Sequence, residues 1–238
     1  MPETRVLSDS AAVAEAAVDD AVAVLAAAVA DHGSAVWVLA GGSSPMAAYR
    51  LLADAPGDLD WSRITLVIGD ERMVPIDHAD SNLGQILPVL AGAGADKART
   101  LLPDVGASPD DAARTYAEQL VALATAGVLR FDLVWPGVGE DGHTLSLFPG
   151  KPTLAETDRL VIGIQDSPKP PPERITLTLG AMDRADRLVV FFTGSGKRDA
   201  LQRVRGGEQL PVALVSERAE AAGARVTWLI DPAADGSD

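Results

Sequence analysis

Short apolar runs that end directly in glycine-rich or acidic loops constrain this chain more than any other feature. Ala35 to Ala40 (AVWVLA) and Ile64 to Gly69 (ITLVIG) are too short and too evenly apolar for an amphipathic helix. They have the signature of strands covered on both faces. Phe131 to Trp135 reads as a third such strand, and weaker strands are expected at 159–164, 187–193, 211–215 and 225–230. Helical segments lie between them. One spans 11–30, with caps offered by Ser8, Asp9 and Ser10 and with Gly33 past its end. Another runs from Pro45, suited to the first position of a helix, to about Ala53. Two more are expected at 110–126 and from about Lys197 to Arg205. Buried strands alternating with helices imply the α/β class: a single-domain, doubly wound, mainly parallel sheet flanked by helices. Linker-like composition is confined to Asp166 to Pro172 (DSPKPPP), too short to separate domains, and to a tail after about residue 231 that reads as a disordered end. Residues 1–238 are accordingly taken as one domain.

Three polar loops, at 41–45, 70–75 and 137–143, each follow a buried strand directly. In open α/β sheets the ligand crevice lies outside the carboxyl ends of the strands, so these loops can converge. Charge narrows the ligand. Twenty Lys and Arg stand against 34 Asp and Glu, a formal net charge of −14. Such a surface repels nucleic acid and anionic membranes, and any anion site must gather positive charge locally. The chain has no cysteine, which removes disulfides, thiolate metal sites and cysteine nucleophiles. The alanine-rich amino-terminal segment is interrupted by Glu15, Asp19 and Asp20, unlike a secretory signal, so the cytoplasm is the expected location. Nothing in the composition separates a monomer from a weak homo-oligomer.

Gly41-Gly42-Ser43-Ser44, between a strand and a helix, is a candidate phosphate cradle. Glycines let the backbone approach an anion, and the following helix presents unpaired N–H groups at a positive dipole end. The same residues also suit an ordinary tight turn with a serine cap. Asp70-Glu71-Arg72 offers two carboxylates and a guanidinium. Strand alternation sends Asp70 and Arg72 one way and Glu71 the other. Arg72 has the planar fork to hold a phosphate or a developing oxyanion, or to make a local ion pair. The richest segment is Gly137-Val138-Gly139-Glu140-Asp141-Gly142-His143-Thr144. Its glycines clear space around Asp141 and His143, and imidazole is the side chain best suited to general base work near neutrality. Asp141 can orient the ring or contact the substrate. His32 and His78 lack such surroundings and read as surface residues. Gly194-Ser195-Gly196-Lys197 has the end of a Walker loop, but position 191 is Phe where that motif needs glycine, which argues against nucleotide binding. Lys197 at a helix start gains nothing from the dipole unless an anion sits nearby. No metal site is expected, since the histidines are scattered, and no G-x-S-x-G elbow supports a serine nucleophile.

Taken together these segments resemble the 6-phosphogluconolactonase family, within the glucosamine/galactosamine-6-phosphate isomerase superfamily. The resemblance runs in order through GGSSP at 41–45, DERMVP at 70–75, SN at 81–82, GVGEDGHTLSLFPG at 137–150, RITLT at 174–178 and GSGK at 194–197. The family commonly has threonine at Ser44, an aliphatic pair at Trp135-Pro136, alanine at Leu145 and asparagine at Asp183. The resemblance implies hydrolysis of 6-phospho-D-glucono-1,5-lactone to 6-phosphogluconate in the oxidative pentose phosphate pathway, without a cofactor. It implies a catalytic group of His143, Asp141 and Arg72. It puts the substrate phosphate among Gly41, Gly42, Ser43, Ser44 and Lys197, with Arg174 and Lys169 as added contacts, and Asp70, Glu71 and Gly139 beside the sugar. Two other readings are a glucosamine-6-phosphate deaminase or isomerase, with Asp70 as base, and a catalytically silent sugar-phosphate binder. Ammonia release separates the first from a lactonase, and lactone turnover above the spontaneous rate separates the second.

Overall fold

The computed structural model describes residues 2–55, 57–124 and 128–237. In chain order these form β1 (Glu3–Val6), α1 (Ser10–His32), β2 (Ala35–Leu39), α2 (Ser43–Asp54), β3 (Ile64–Ile68), β4 (Asp70–Arg72) and α3 (Asn82–Leu90). Then come β5 (Arg99–Thr100), α4 (Pro109–Val121), β6 (Leu133–Val134), β7 (Val161–Ile164), β8 (Arg174–Leu177) and β9 (Arg187–Phe192). The chain closes with α5 (Arg198–Arg205), α6 (Pro211–Ala221), β10 (Arg225–Ile230) and α7 (Pro232–Asp235).

The central sheet is wholly parallel, in the order β1-β10-β9-β6-β2-β3-β5. From β2 the chain moves outward through β3 to β5, then returns to the opposite side of β2 as β6. The strand order therefore reverses between β2 and β6, the place where a crevice forms in such sheets. A second sheet, β4-β8-β7, is antiparallel and pairs Asp70 with Thr176, Glu71 with Ile175 and Arg72 with Arg174. Gly69 joins the two sheets. Its N–H donates to Leu39 of the large sheet at 2.9 Å, and its carbonyl accepts from Leu177 of the small one at 2.8 Å. The apolar run Ile64 to Gly69 thus leads directly into a strand of the second sheet, not into a loop.

Three expectations are corrected. Residues 211–215 form the start of α6, not a strand. Pro211 opens the helix, and Val212, Val215, Ser216 and Ala219 recur at helical spacing on its buried face. The tail after residue 231 is ordered to Ser237, because Asp231 caps α7 by accepting from the Ala234 N–H at 2.8 Å. The helix expected at 110–126 ends at Val121, and positions 125 and 126 lie outside the described residues. His32 is exposed, as expected of a surface residue, and its Nε2 lies 3.0 Å from the buried Asp132.

Trp135 and Trp37 are fully buried and meet edge to face at 4.8 Å. Tyr49 stacks on Trp135 at 5.4 Å, and Phe191 abuts it at 5.0 Å. The aromatic at 135 is therefore a core residue beneath the crevice, and Pro136 takes the chain out of the sheet above it. The two tyrosines of the chain do one job twice. Tyr49 Oη accepts from the Ala40 N–H at 3.1 Å and donates to its carbonyl at 3.2 Å. Tyr116 Oη does the same for Ile68, at 2.8 and 3.3 Å. Ala40 directly follows β2 and Ile68 closes β3, so each hydroxyl fixes backbone at the crevice edge. Burial pushes both hydroxyls far above their usual pKa, so they remain protonated donors.

Tyr49→Phe should cost about 1–3 kcal/mol of unfolding free energy, since it strands a buried N–H and a carbonyl. Denaturant unfolding monitored by tryptophan fluorescence checks this.

Candidate active site

A cleft of about 360 Å³ opens where the strand order reverses. Ala40 to Ser43 line it from the end of β2, Asp70 and Arg72 from β4, and Gly137 to Glu140 with His143 from the loop after β6. Lys197, before α5, closes the side nearest β9. Because β9, β6, β2 and β3 are neighbours in that order, segments more than 150 residues apart in sequence meet at one rim.

The loop after β6 is folded tightly on itself. The Gly139 N–H donates to the His143 carbonyl at 2.7 Å, and Thr144 Oγ1 to the Gly137 carbonyl at 2.6 Å. This presses the imidazole against Gly139, where a Cβ would stand 1.9 Å from His143 Nδ1. Only glycine fits there. Nδ1 lies 2.5 Å from Asp141 Oδ1, and the ring stacks on Phe148 at 4.6 Å. Its second nitrogen, Nε2, makes no hydrogen bond among the described residues, and the residue lines the cleft. Burial pulls the His143 pKa below its ordinary value; Asp141 opposes this and Lys169 adds to it. For Asp141, burial pushes upward but the His143 hydrogen bond and the charges of His143 and Lys169 prevail, leaving it at about 2. The pair near neutrality is thus a carboxylate and a neutral imidazole with one lone pair free.

The opposite wall gathers backbone N–H groups and cations. Gly42 precedes α2 at φ 106° and ψ 163°, a conformation essentially confined to glycine, and no side chain caps the helix. The first N–H groups of α2 are therefore unpaired by any side chain beside Gly41, Gly42 and Ser43 in the cleft wall. Lys197 is half-buried; burial lowers its pKa, and Glu140 opposes that. Arg72 donates Nη1 to the Asp80 carbonyl at 2.6 Å, while its buried Nε has no partner among the described residues.

The structure brings Gly41, Gly42, Ser43, Asp70, Arg72, Gly139, His143, Arg174 and Lys197 to the cleft, with Asp141 behind the imidazole. Two expected residues stay out of it. Ser44 turns away, its hydroxyl 2.5 Å from Thr193 Oγ1, and lines a separate hollow between α1 and α2. Glu71 points to the other face of β4, where it accepts from the N–H groups of Arg72, Asn82 and Leu83, each at 2.8 Å, and from Ser81 Oγ at 3.2 Å. It caps α3. Arg174 reaches the cleft wall but with most of its donors spent: on the carbonyls of Lys169, Pro170 and Pro171 and on Ser146 Oγ. Asp70 accepts from Ser146 Oγ at 2.6 Å and faces Arg174 at 3.8 Å. Sequence reasoning assigned no role to Asn82, whose Nδ2 donates to the Asp70 carbonyl at 2.8 Å against Gly41, nor to Glu140 or Ser146. The SN pair at 81–82 was the visible signal for Asn82. For Ser146 there was none, because only the fold puts it beside β4.

Residues 8–228 match the model of the family described as glucosamine-6-phosphate isomerases/6-phosphogluconolactonase. The chain belongs to this family. Among curated relatives, the 6-phosphogluconolactonase of Mycobacterium tuberculosis is 37% identical, covering 95% of this chain and 94% of its own. That of Rattus norvegicus is 41% identical, covering 82% and 77%. A solved 6-phosphogluconolactonase structure from Trypanosoma brucei is 27% identical at a TM-score of 0.81, covering 100% of this chain and 98% of that one. Family membership agrees with the α/β architecture and with the cleft at the reversal of strand order.

Gly139→Ala should displace the imidazole by on the order of an ångström and lower turnover in the cleft about 10²-fold. Steady-state kinetics beside a thermal melt checks this, and a lost fold in place of lost turnover would contradict it.

Proposed function

We propose that this chain hydrolyses 6-phospho-D-glucono-1,5-lactone to 6-phosphogluconate, the lactonase step of the oxidative pentose phosphate pathway. One observation carries the reading: an Asp141-oriented imidazole with a free Nε2 in the same cleft as an uncapped helix N-terminus and two cations. The names of the relatives supply the substrate. A cytoplasmic setting is part of this reading. No helix among the described residues is long and apolar enough to cross a membrane.

In the mechanism, Asp141 holds His143 in the tautomer with the proton on Nδ1. Nε2 takes a proton from water as the water oxygen attacks the C1 carbonyl, and the carbonyl oxygen becomes a tetrahedral oxyanion. Donors at the rim stabilise that charge. On collapse the bond from C1 to the ring oxygen breaks, and the imidazolium returns its proton to the leaving oxygen. The products are the ring-opened hydroxyl and a carboxylic acid that ionises in water. No metal or cofactor enters these steps.

The phosphate is held by the N–H groups at the start of α2, by Ser43 and by Lys197, with Arg72 as the second cation. A phosphate monoester carries about −1.5 to −2 charges at pH 7. Lysine, arginine and a helix end worth about half a charge balance it. The alternative chemistry within the family, deprotonation at a sugar C2, would draw on Asp70. That carboxylate is already engaged by Ser146 and Arg174, which favours the lactonase.

His143→Gln should lower kcat by about 10²–10⁴-fold, the usual worth of a general base, while the product still binds. Lys197→Ala should raise KM with a smaller effect on kcat. A spectrophotometric lactone assay corrected for spontaneous opening measures both. A loss under tenfold in the first variant contradicts the role of His143, and an unchanged KM in the second removes Lys197 from the phosphate site.

A further inference from the structure

Lys169 lies in the segment read from sequence as linker-like, outside every helix and strand, yet its ammonium reaches the reacting pair. Nζ stands 3.4 Å from Asp141 Oδ1 and 3.4 Å from His143 Nδ1. An ammonium has no lone pair to offer, and Nδ1 already gives its proton to Asp141. The contact with the ring is therefore one donor beside another. Asp141 Oδ1 accepts from both sides at once, from the imidazole at 2.5 Å and from the lysine.

Packing does not put Lys169 there, since its side chain is 45% exposed. A lysine so placed would ordinarily extend into water. Its backbone is held instead by Arg174, a buried residue of β8. Arg174 donates Nε to the Pro171 carbonyl at 3.0 Å and Nη2 to the carbonyls of Lys169 and Pro170 at 2.9 and 3.3 Å. One guanidinium thus pins three successive peptide groups beneath the lysine.

We propose that Lys169 is a positioning residue that keeps the His143 imidazole unprotonated before substrate binds, by sharing the Asp141 carboxylate with it, and that Arg174 fixes the lysine in place. The proposal rests on His143 being the general base. An aspartate facing an imidazole alone would hold the ring well but would also favour its protonation, and a protonated ring has no lone pair for water. A second positive charge on the same oxygen preserves the orienting hydrogen bond and opposes that protonation. The remaining charges near the ring act in known directions. Asp70 on β4 favours protonation, and Arg174 faces it at 3.8 Å. Arg72 on the same strand and Lys197 also line the cleft, and Glu140 raises the Lys197 pKa against the effect of burial. The arriving phosphate brings further negative charge, which makes a fixed cation at Asp141 more useful during turnover.

The chain has three histidines, so ring-proton NMR titration of the free protein resolves the question. His143→Gln assigns the resonance, and His32 and His78 serve as internal references. In Lys169→Met the His143 midpoint should rise by about one pH unit, as removal of a neighbouring like charge requires. Lys169→Arg, which keeps the charge, should hold it within about 0.3 unit of the parent. An unmoved midpoint in Lys169→Met, or an equal rise in Lys169→Arg, overturns the proposal. The measurement needs no substrate. Its failure would leave the assigned reaction standing, and absence of lactone turnover would leave the titration unaffected.

Discussion

The backbones of Gly41 and Gly137 pass so close that a methyl group on Gly137 would stand 3.0 Å from the Gly41 carbonyl oxygen. The site depends on this passage. It occurs where the strand order reverses, between β2 and β6. The helix N-terminus that follows Gly42 and the loop that carries His143 consequently face each other across a gap of small-molecule size. Beneath the passage Tyr49 and Trp135 are stacked, and Tyr49 holds Ala40 by both backbone groups. A rigid aromatic floor under two glycine segments reconciles the backbone freedom of the loops with the fixed geometry that a cradle and a general base require.

Much of this was legible in advance, for identifiable reasons. Runs buried on both faces have no polar alternation to confuse them, so β2 and β3 appeared where expected, and the weaker signal at 225–230 also proved a strand. The glycines around His143 announced a crowded site because glycine in a plain connection costs entropy without return. Alternation also sorted Asp70 and Arg72 from Glu71, although the carboxylate of Glu71 then went to the end of α3 and not to a sugar. What sequence concealed was contact across the fold. PVALV at 211–215 is equally apolar as strand or helix, and only Pro211 and the burial beyond Val215 decide it. DSPKPPP has the composition of a tether, yet Arg174 ties it down from a strand of the second sheet. No local pattern encodes a guanidinium that meets three carbonyls.

An excess of acidic groups and the proposed anion site are compatible because three of the four cations at the rim have an acid close by. Glu140 accompanies Lys197, Asp141 accompanies Lys169 and Asp70 accompanies Arg174. Such pairing limits the cost of gathering like charges in a cleft, and part of the attraction to a phosphate comes from exchanging one partner for another. The arrangement also sets the sense of the field: the acids lie behind or beside the cations, while the uncapped end of α2 opens into the cleft itself.

The last helix of the chain bears on the rim as well. Asp231 is buried and divides its carboxylate, one oxygen accepting from Ala234 to start α7 and the other from the Gly194 N–H at 2.9 Å. Gly194 begins the turn that ends at Lys197. One buried carboxylate therefore both starts α7 and fixes the turn that leads to Lys197, so a helix remote in sequence and the cleft rim share a single anchor.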